Sequence, residues 1–320
     1  MHIQFMRSSL YNQWDYCQMS TALQYVFGFK SESGLKASLG TICHKALQIL
    51  ADQKLARQRG EKSIHDDELG DFSVDDDNIE RIIELAFEYY KSIETHLKFA
   101  KADLKTCKSY VDKALTYNNG LVDPRNKTII ATEQYFDFEV EKPWAQGLRM
   151  KGTVDLVTKL TDDIYEVIDY KTGRRLDWAT GEEKTEAKLQ HDPQLLIYYY
   201  ALKHLFPEKE FMFSLFYIND GGLFSVYFDN SSYYEAEEMI RRRYLEIAST
   251  SEPRLLSDNQ SHWKCTRLCQ FAKNQYKDTG ISVCEFMKQS IRAIGLEKSI
   301  ARYGHHDNIG NYGSGGGTVR

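Results

Sequence analysis

Gly152-Thr-Val-Asp155-Leu-Val157 and, after seven intervening residues, Tyr165-Glu-Val-Ile-Asp169-Tyr-Lys171-Thr-Gly173 decide how this chain folds. Both segments are rich in β-branched and apolar residues, and Thr161-Asp162-Asp163 lies between them, the pattern of a β-hairpin. Asp155 falls near the middle of the first strand. Asp169 and Lys171 fall near the end of the second, two apart, so they point to one face. Two carboxylates and a lysine at a sheet end are a set that can hold a hard divalent cation and activate a water beside it. Taken alone, an Asp-x-Lys is ordinarily a solvated strand face with a chance ion pair. The rest of the chain decides between these readings.

The chain has 320 residues, room for one large domain or two small ones. Its 42% hydrophobic and 13% aromatic content can fill a substantial core. The net charge of −5 gives no global basic field, so any nucleic-acid contact must be a local patch. No apolar run is long enough to span a membrane, and Met1-His-Ile-Gln-Phe-Met-Arg7 has no signal-peptide core. The expected location is therefore cytoplasmic, a reducing compartment. There the six cysteines point to metal or cluster ligation more than to disulfides. No solenoid repeat is present, and no Gly-x-x-x-x-Gly-Lys-Ser/Thr loop, so the chain carries no P-loop motor.

Residues 8–28 fit a helical face loosely through Leu10, Trp14, Cys17 and Leu23, with Gly28 as a C-terminal stop. A stronger helix spans 34–58 and contains Gly40-Thr-Ile-Cys-His44-Lys-Ala-Leu47, where Gly40, one turn before His44, leaves room beside the imidazole. Cys43 belongs to the core of that helix. Asp66 to Asp77 holds seven acidic residues in twelve and reads as a solvated loop. Ser73 and Asp76 resemble a capping box before an amphipathic helix through Ile79, Ile82, Ile83, Ala86, Tyr90, Ile93 and Leu97. Another helix runs from about Asp103 to Tyr117, stopped by Asn118-Asn-Gly120, and its Cys107 is given no role.

Thr128 to Val140 is strand-like with Glu133 near its centre, and the opening hairpin follows. Trp178 to Lys188 is polar, a loop or frayed helix start. His191-Asp-Pro-Gln194 begins a helix reaching Leu202, with Pro193 in its first turn and Gln194 and Tyr198 on one face. Two further strands, 211–218 and 223–228, are joined through Asn219-Asp-Gly-Gly222. A helix at about 231–249 carries Arg241-Arg-Arg243, a stripe able to track phosphates or simply a solvated face. This succession predicts an α/β fold with a mixed central sheet flanked by helices, an N-terminal helical region and a C-terminal cysteine-containing segment. That segment holds Cys265, Cys269 and Cys284, followed by a helix over about 282–303 and a Gly-rich tail from Gly304 to Arg320. One domain is expected over 1–303: a helical part at about 8–120, a core at 128–250 and the cysteine segment at 262–290.

His44 in Gly-Thr-x-x-His-x-x-Leu, Asp155, Asp169-x-Lys171 and Gln194-x-x-x-Tyr198 together resemble the PD-(D/E)XK nuclease superfamily, in its RecB-type branch. Each motif alone is weak, but four in order are specific. Cys17 before the histidine helix, and Cys265, Cys269 and Cys284 after the core, are similar to the iron–sulfur frame of the AddB nuclease, the exonuclease V family and CRISPR-associated exonucleases. The resemblance covers roughly residues 8 to 290. Val154 stands where the family name has proline, which supplies no ligand. The cysteine spacing departs further: three residues separate Cys265 from Cys269 and fourteen separate Cys269 from Cys284, whereas the family sets them closer.

The resemblance implies a restriction-endonuclease-like fold and a Mg²⁺- or Mn²⁺-dependent DNA nuclease, an exonuclease of repair, recombination or replication. It would act on single-stranded DNA or DNA ends, with a helicase or recombination protein as possible partner. It implies Asp155, Asp169 and Lys171 as catalytic residues, with His44, Asp155, Asp169 and the Tyr170 carbonyl on the metal. Lys171 would orient or deprotonate the attacking water, helped by a depressed pKa, or neutralise the transition state. Gln194 and Tyr198 would contact DNA and brace the site. Cys17, Cys265, Cys269 and Cys284 would hold a 4Fe-4S cluster, with Zn²⁺ as the alternative. The competing class is a non-catalytic DNA-binding subunit of a helicase–nuclease complex. Such a chain would be free to lose a metal carboxylate or the lysine, and both are retained here.

Overall fold

The structure is a computed structural model, and it describes residues 1–76, 78–176, 181–256 and 262–305. The chain enters through a short strand β1 (Phe5–Met6) and helices α1 (Ser8–Tyr16), α2 (Gln18–Tyr25) and α3 (Leu35–Gln58). A hairpin of β2 (Ser63–Asp66) and β3 (Gly70–Ser73) precedes α4 (Ile79–Ile93) and α5 (Lys101–Thr116). The central strands are β4 (Ile129–Glu139), β5 (Arg149–Lys159) and β6 (Ile164–Lys171). Helices α6 (Glu186–Leu189) and α7 (Pro193–Leu205) cross over to β7 (Glu210–Tyr217) and β8 (Gly222–Phe228), followed by α8 (Asn230–Ser249). Short helices α9 (Trp263–Arg267), which carries Cys265, and α10 (Gln270–Lys273), capped by Cys269, precede α11 (Val283–Ile294), which carries Cys284, and α12 (Leu296–Tyr303).

The sheet is mixed, as the order of elements predicts. The strands at 152–157 and 165–171 pair antiparallel, with Leu156 opposite Ile168 and Lys159 opposite Tyr165. β6 runs parallel to β7 through the α6–α7 crossover, and β7 turns back into β8. The β7–β8 turn uses Gly221 and Gly222 at φ 94° and 81°, values that suit glycine. β5 pairs with β4 along nearly its whole length. Its other edge is shared: β1 takes Arg149 and Met150 in parallel, and β6 takes Leu156 to Lys159. Residues 151–155 lie between these two partners, so β5 and β6 part company just before Asp155.

Apolar side chains fill both faces. Phe211, Phe213 and Leu215 of β7 pack with Leu196, Tyr199 and Ile240 of α7 and α8. On the other face Ile168 and Phe216 pack with Ile42, Leu50, Ile83 and Val111 of α3, α4 and α5. Cys43 and Cys107 are both buried in that second core. A third cluster joins α2 to α11 through Met19, Leu23, Phe27, Phe271 and Met287.

The structure corrects several expectations. Residues 8–28 form two helices, because Cys17 is extended (φ −160°) and breaks the run; Gly28 does adopt the expected left-handed φ of 74°. The helix expected over 282–303 breaks at Gly295, φ 85°. The α4 cap is Asn78, whose side chain accepts from the Arg81 N–H, and Leu97 lies beyond the helix end. Asp177, Trp178, Ala179 and Thr180, and the tail from His306 onward, lie outside the described residues.

The acidic stretch departs most. It forms the β2–β3 hairpin, and Lys45 on α3 reaches into it to pair with Asp66 Oδ2 and Glu68 Oε2, each at 2.8 Å. All three side chains are less than a tenth exposed. Gln53 on the same helix donates to the Ser73 and Asp76 carbonyls. Asp67, Asp71 and Asp75 are solvated as expected, but Asp66 and Glu68 of the same run are the counter-charge for a buried lysine beside His44. Lys45→Met should leave two buried carboxylates unpaired and cost about 3–5 kcal/mol, read as a fall in the urea midpoint.

Candidate active site at the strand fork

Asp155 is the first β5 residue beyond the paired stretch, and Asp169 is its opposite number just past the Leu156–Ile168 pair. The fork therefore brings the two carboxylates to one place. The Tyr170 N–H, turned from the ladder, donates to Asp155 Oδ2 at 3.3 Å. α3 runs past the fork and places His44 Nδ1 3.1 Å from the same oxygen. Gly40 permits the close pass, but the space it leaves goes to Thr172: a Cβ on Gly40 would stand 2.8 Å from Thr172 Oγ1. The expected room beside the imidazole is thus taken by the residue after Lys171.

On the α7 side, Lys171 Nζ lies 2.6 Å from Asp169 Oδ2 and donates to Gln194 Oε1 at 3.1 Å. Gln194 Nε2 in turn donates to the Tyr198 hydroxyl at 3.1 Å. Gln194 is held by the start of its helix, where Asp192 caps and accepts from the Gln194 N–H and Pro193 takes the first position. All the residues singled out for catalysis, metal binding and substrate contact therefore converge at the fork. The Tyr170 side chain points away and donates to the Val122 carbonyl, leaving only its backbone near Asp155. The Arg241–Arg243 stripe does not join them. Arg241 and Arg242 pair with Glu238, and buried Arg243 pairs with Asp15 and lies over the Tyr11 ring.

Charge is balanced internally. Burial pulls the His44 imidazolium down, but the Asp155 carboxylate outweighs it and lifts His44 to about 9. Burial pushes Asp155 up, yet His44, Lys171 and the Tyr170 N–H bring it below the usual carboxylate range. Asp169 is raised, with burial the largest influence and Lys171 only partly offsetting it. Lys171 is raised too: burial lowers it, and Asp169 more than reverses this. The depressed lysine expected from the sequence is one beside a bound metal; in the metal-free protein two carboxylates outweigh desolvation. In this arrangement Lys171 is an ammonium.

Glu133, noted in the sequence but given no role, belongs to the site. It stands opposite Asp155, between the Thr132–Leu156 and Gln134–Val154 pairs, at φ 42° in mid-strand. Burial and the Asp155 charge push its carboxyl up to about 8. With His44, Lys45, Asp155 and Thr172 it lines a cavity of about 320 Å³. A charged residue among the apolar and β-branched residues of a strand was the one sequence signal. Its left-handed backbone was not legible.

The donor set suits a hard divalent cation: carboxylates from Asp155, Asp169 and Glu133, and the His44 imidazole. Asp169 Oδ2 is buried and, despite its contact with Lys171, accepts no directed hydrogen bond, leaving a lone pair for a cation. Among the described residues no three His, Cys, Asp or Glu side chains already close on a common point. A cation would thus have to displace the proton of His44 and open its pair with Asp155.

The four cysteines singled out as a cluster frame lie elsewhere, at the α1–α2 break, on α9, at the start of α10 and on α11. No disulfide joins any of the six cysteines. Burial raises the Cys17, Cys265 and Cys284 thiols, and each is raised further by the neighbouring Cys269. The four are therefore within electrostatic reach of one another.

A family model described as the PD-(D/E)XK nuclease superfamily matches residues 9–274. No curated protein matches the sequence. Among solved structures, one named "Putative exonuclease" from Eubacterium rectale is similar, with 11% identity and a TM-score of 0.48, over 88% of this chain and 92% of that one. Another, named SSO0001, has 16% identity and a TM-score of 0.27, over 68% of this chain and 90% of that one. No described helix is long and apolar enough to cross a membrane.

The shifted groups fix a pH dependence for the metal-free protein. His44, raised from 6.5 to about 9, contributes stability that is full below pH 6.5 and lost as pH climbs through 9. Glu133, raised from 4.5 to about 8, costs stability increasingly between pH 4.5 and 8. His44→Gln should flatten the loss between pH 6.5 and 9. Glu133→Gln should make the protein more stable than wild type at pH 8, with no difference near pH 4. Urea melts across this range with EDTA present measure both.

Proposed function

We propose, from the fact that the chain belongs to the PD-(D/E)XK nuclease superfamily, that it is a Mg²⁺- or Mn²⁺-dependent deoxyribonuclease. The observation that carries this reading is the convergence of His44, Asp155, Asp169, Lys171, Gln194 and Tyr198 at one strand fork. Asp155, Asp169, His44 and the Tyr170 carbonyl would hold the cation, with Glu133 at hand opposite Asp155. When bound, the cation supplies Lewis acidity and lowers the pKa of a water, the two needs of phosphodiester hydrolysis. Lys171 enters as a donor, its ammonium aligned by Gln194 on the charge that develops on the phosphoryl group. Gln194 and Tyr198 hold that alignment and contact the strand. The substrate is DNA, single-stranded or with a free end, and the activity an exonuclease of repair, recombination or replication, working with a helicase or recombination protein. A purely binding protein would have no need of a buried Asp169 paired with a half-buried lysine beside a second carboxylate.

We further propose that Cys17, Cys265, Cys269 and Cys284 hold a 4Fe-4S cluster. What supports this is their approach from four separate elements and the absence of disulfides. The cluster would staple the α1–α2 break to the C-terminal region and add stability rather than chemistry. A colourless protein containing zinc would favour Zn²⁺ instead.

End-labelled linear and circular DNA, single- and double-stranded, incubated with Mg²⁺, Mn²⁺ or EDTA, tests the activity. Asp169→Asn and Lys171→Ala should each abolish cutting in a folded protein, and the double variant should lose little more, since the groups act as one unit. Cutting by Lys171→Ala at the wild-type rate would end the catalytic assignment. Iron and sulfide assays should show Cys17→Ser and Cys284→Ser depleted and Cys43→Ser and Cys107→Ser full. Full iron in the first two would dismiss the cluster.

A further inference from the structure

Gly152 does not need to be glycine for its backbone, since it lies inside β5 without a positive φ. Glycine weakens a strand interior and marks a place where something approaches closely. What approaches is Phe136, its partner across the β4–β5 ladder. A Cβ on Gly152 would meet Phe136 Cζ at 2.5 Å and Cε1 at 2.9 Å, so the ring lies across the glycine. Phe136 is 2% exposed and meets the Tyr198 ring edge to face, with centroids 6.3 Å apart and planes at 80°. Tyr198 is the residue whose hydroxyl accepts from Gln194.

The Gln194 amide has two unlike ends. With its nitrogen committed to Tyr198, its oxygen faces the Lys171 ammonium, which needs an acceptor. Loss or displacement of the Tyr198 hydroxyl would free the amide to turn, setting N–H groups against Lys171. We infer that Phe136, seated on Gly152, is a positioning residue that fixes Lys171 through Tyr198 and Gln194. The inference rests on the reading of Lys171 as the ammonium serving phosphodiester hydrolysis, but the relay itself is a geometric statement that can be tested apart from it.

Phe136→Leu keeps an apolar side chain in the core and removes the ring. It should lower kcat on the order of 10- to 100-fold, the scale of a small misplacement at a reacting centre, with KM little changed. In a Gln194→Ala background the same substitution should cost almost nothing more. Gly152→Ala should also lower kcat, by driving the ring toward Tyr198, and Gly152→Ala with Phe136→Leu should return to the Phe136→Leu level. Tyr198→Phe, which keeps the ring contact and loses the hydroxyl, should match Phe136→Leu.

A second readout needs no activity: trace acetylation of the metal-free protein, read by mass spectrometry. Lys171 should label severalfold faster in Phe136→Leu and Tyr198→Phe than in wild type, and unchanged in Phe72→Leu, an equally buried control in the other core, which holds neither Phe136 nor Tyr198. Wild-type kcat in Phe136→Leu, losses that multiply with Gln194→Ala, or unchanged Lys171 labelling would each overturn the relay. A wild-type protein that never cuts DNA but shows the labelling change would overturn the nuclease reading and leave the relay standing.

Discussion

Two carboxylates at the end of a pairing ladder, Asp169 buried and Asp155 half-buried, are costly unless their charge is answered. The parting of β5 and β6 creates this problem by setting Asp155 and Asp169 opposite each other with no further ladder between them. The surroundings answer it piece by piece. α3 supplies His44, β6 supplies Lys171 and the Tyr170 amide, and α7 steadies Lys171 through Gln194. The answers come from three elements, so the helices on both faces of the sheet are tied to one point. The protein carries its own cations there, and a metal ion would have to compete with them.

The same logic reaches outward from the fork. Lys45 follows His44 on α3 and is buried. The β2–β3 hairpin then brings Asp66 and Glu68 to it. Glu166 on β6 shows the alternative solution away from the site. It is 4% exposed and receives Lys127 at 2.8 Å and the Ser214 hydroxyl at 2.6 Å in a buried network. The difference between these carboxylates is access. Glu166 is sealed, whereas Asp155 borders open space.

Much of this was legible in the residues. The Asp155 and Asp169 strands, their antiparallel pairing, and the shared face of Gln194 and Tyr198 follow from period-2 and period-4 spacing, which the backbone obeys locally. Other features were hidden because they depend on partners distant in sequence. Asp66 and Glu68 look solvated until Lys45 is known to lie across from them. The direction of the Lys171 shift depends on the balance between burial and two carboxylates, which only positions decide. Glu133 sits at a positive φ that no local rule assigns to glutamate, and the two-residue strand at Phe5–Met6 takes its existence from β5.

The meeting of α2 with the C-terminal segment has a consequence in time. The Arg254 amide donates to Gln18 across a separation of 236 residues, and Met19 and Leu23 pack against Phe271 and Met287. A ribosome adding roughly 5–20 residues per second needs about 12–47 seconds to make that stretch. Throughout that interval the partners of α2 do not yet exist, and its apolar face waits in water. The sheet, whose strand pairs are closer in sequence, can form meanwhile. This corner is therefore the last to close, and the four cysteines come together only in a chain already largely folded.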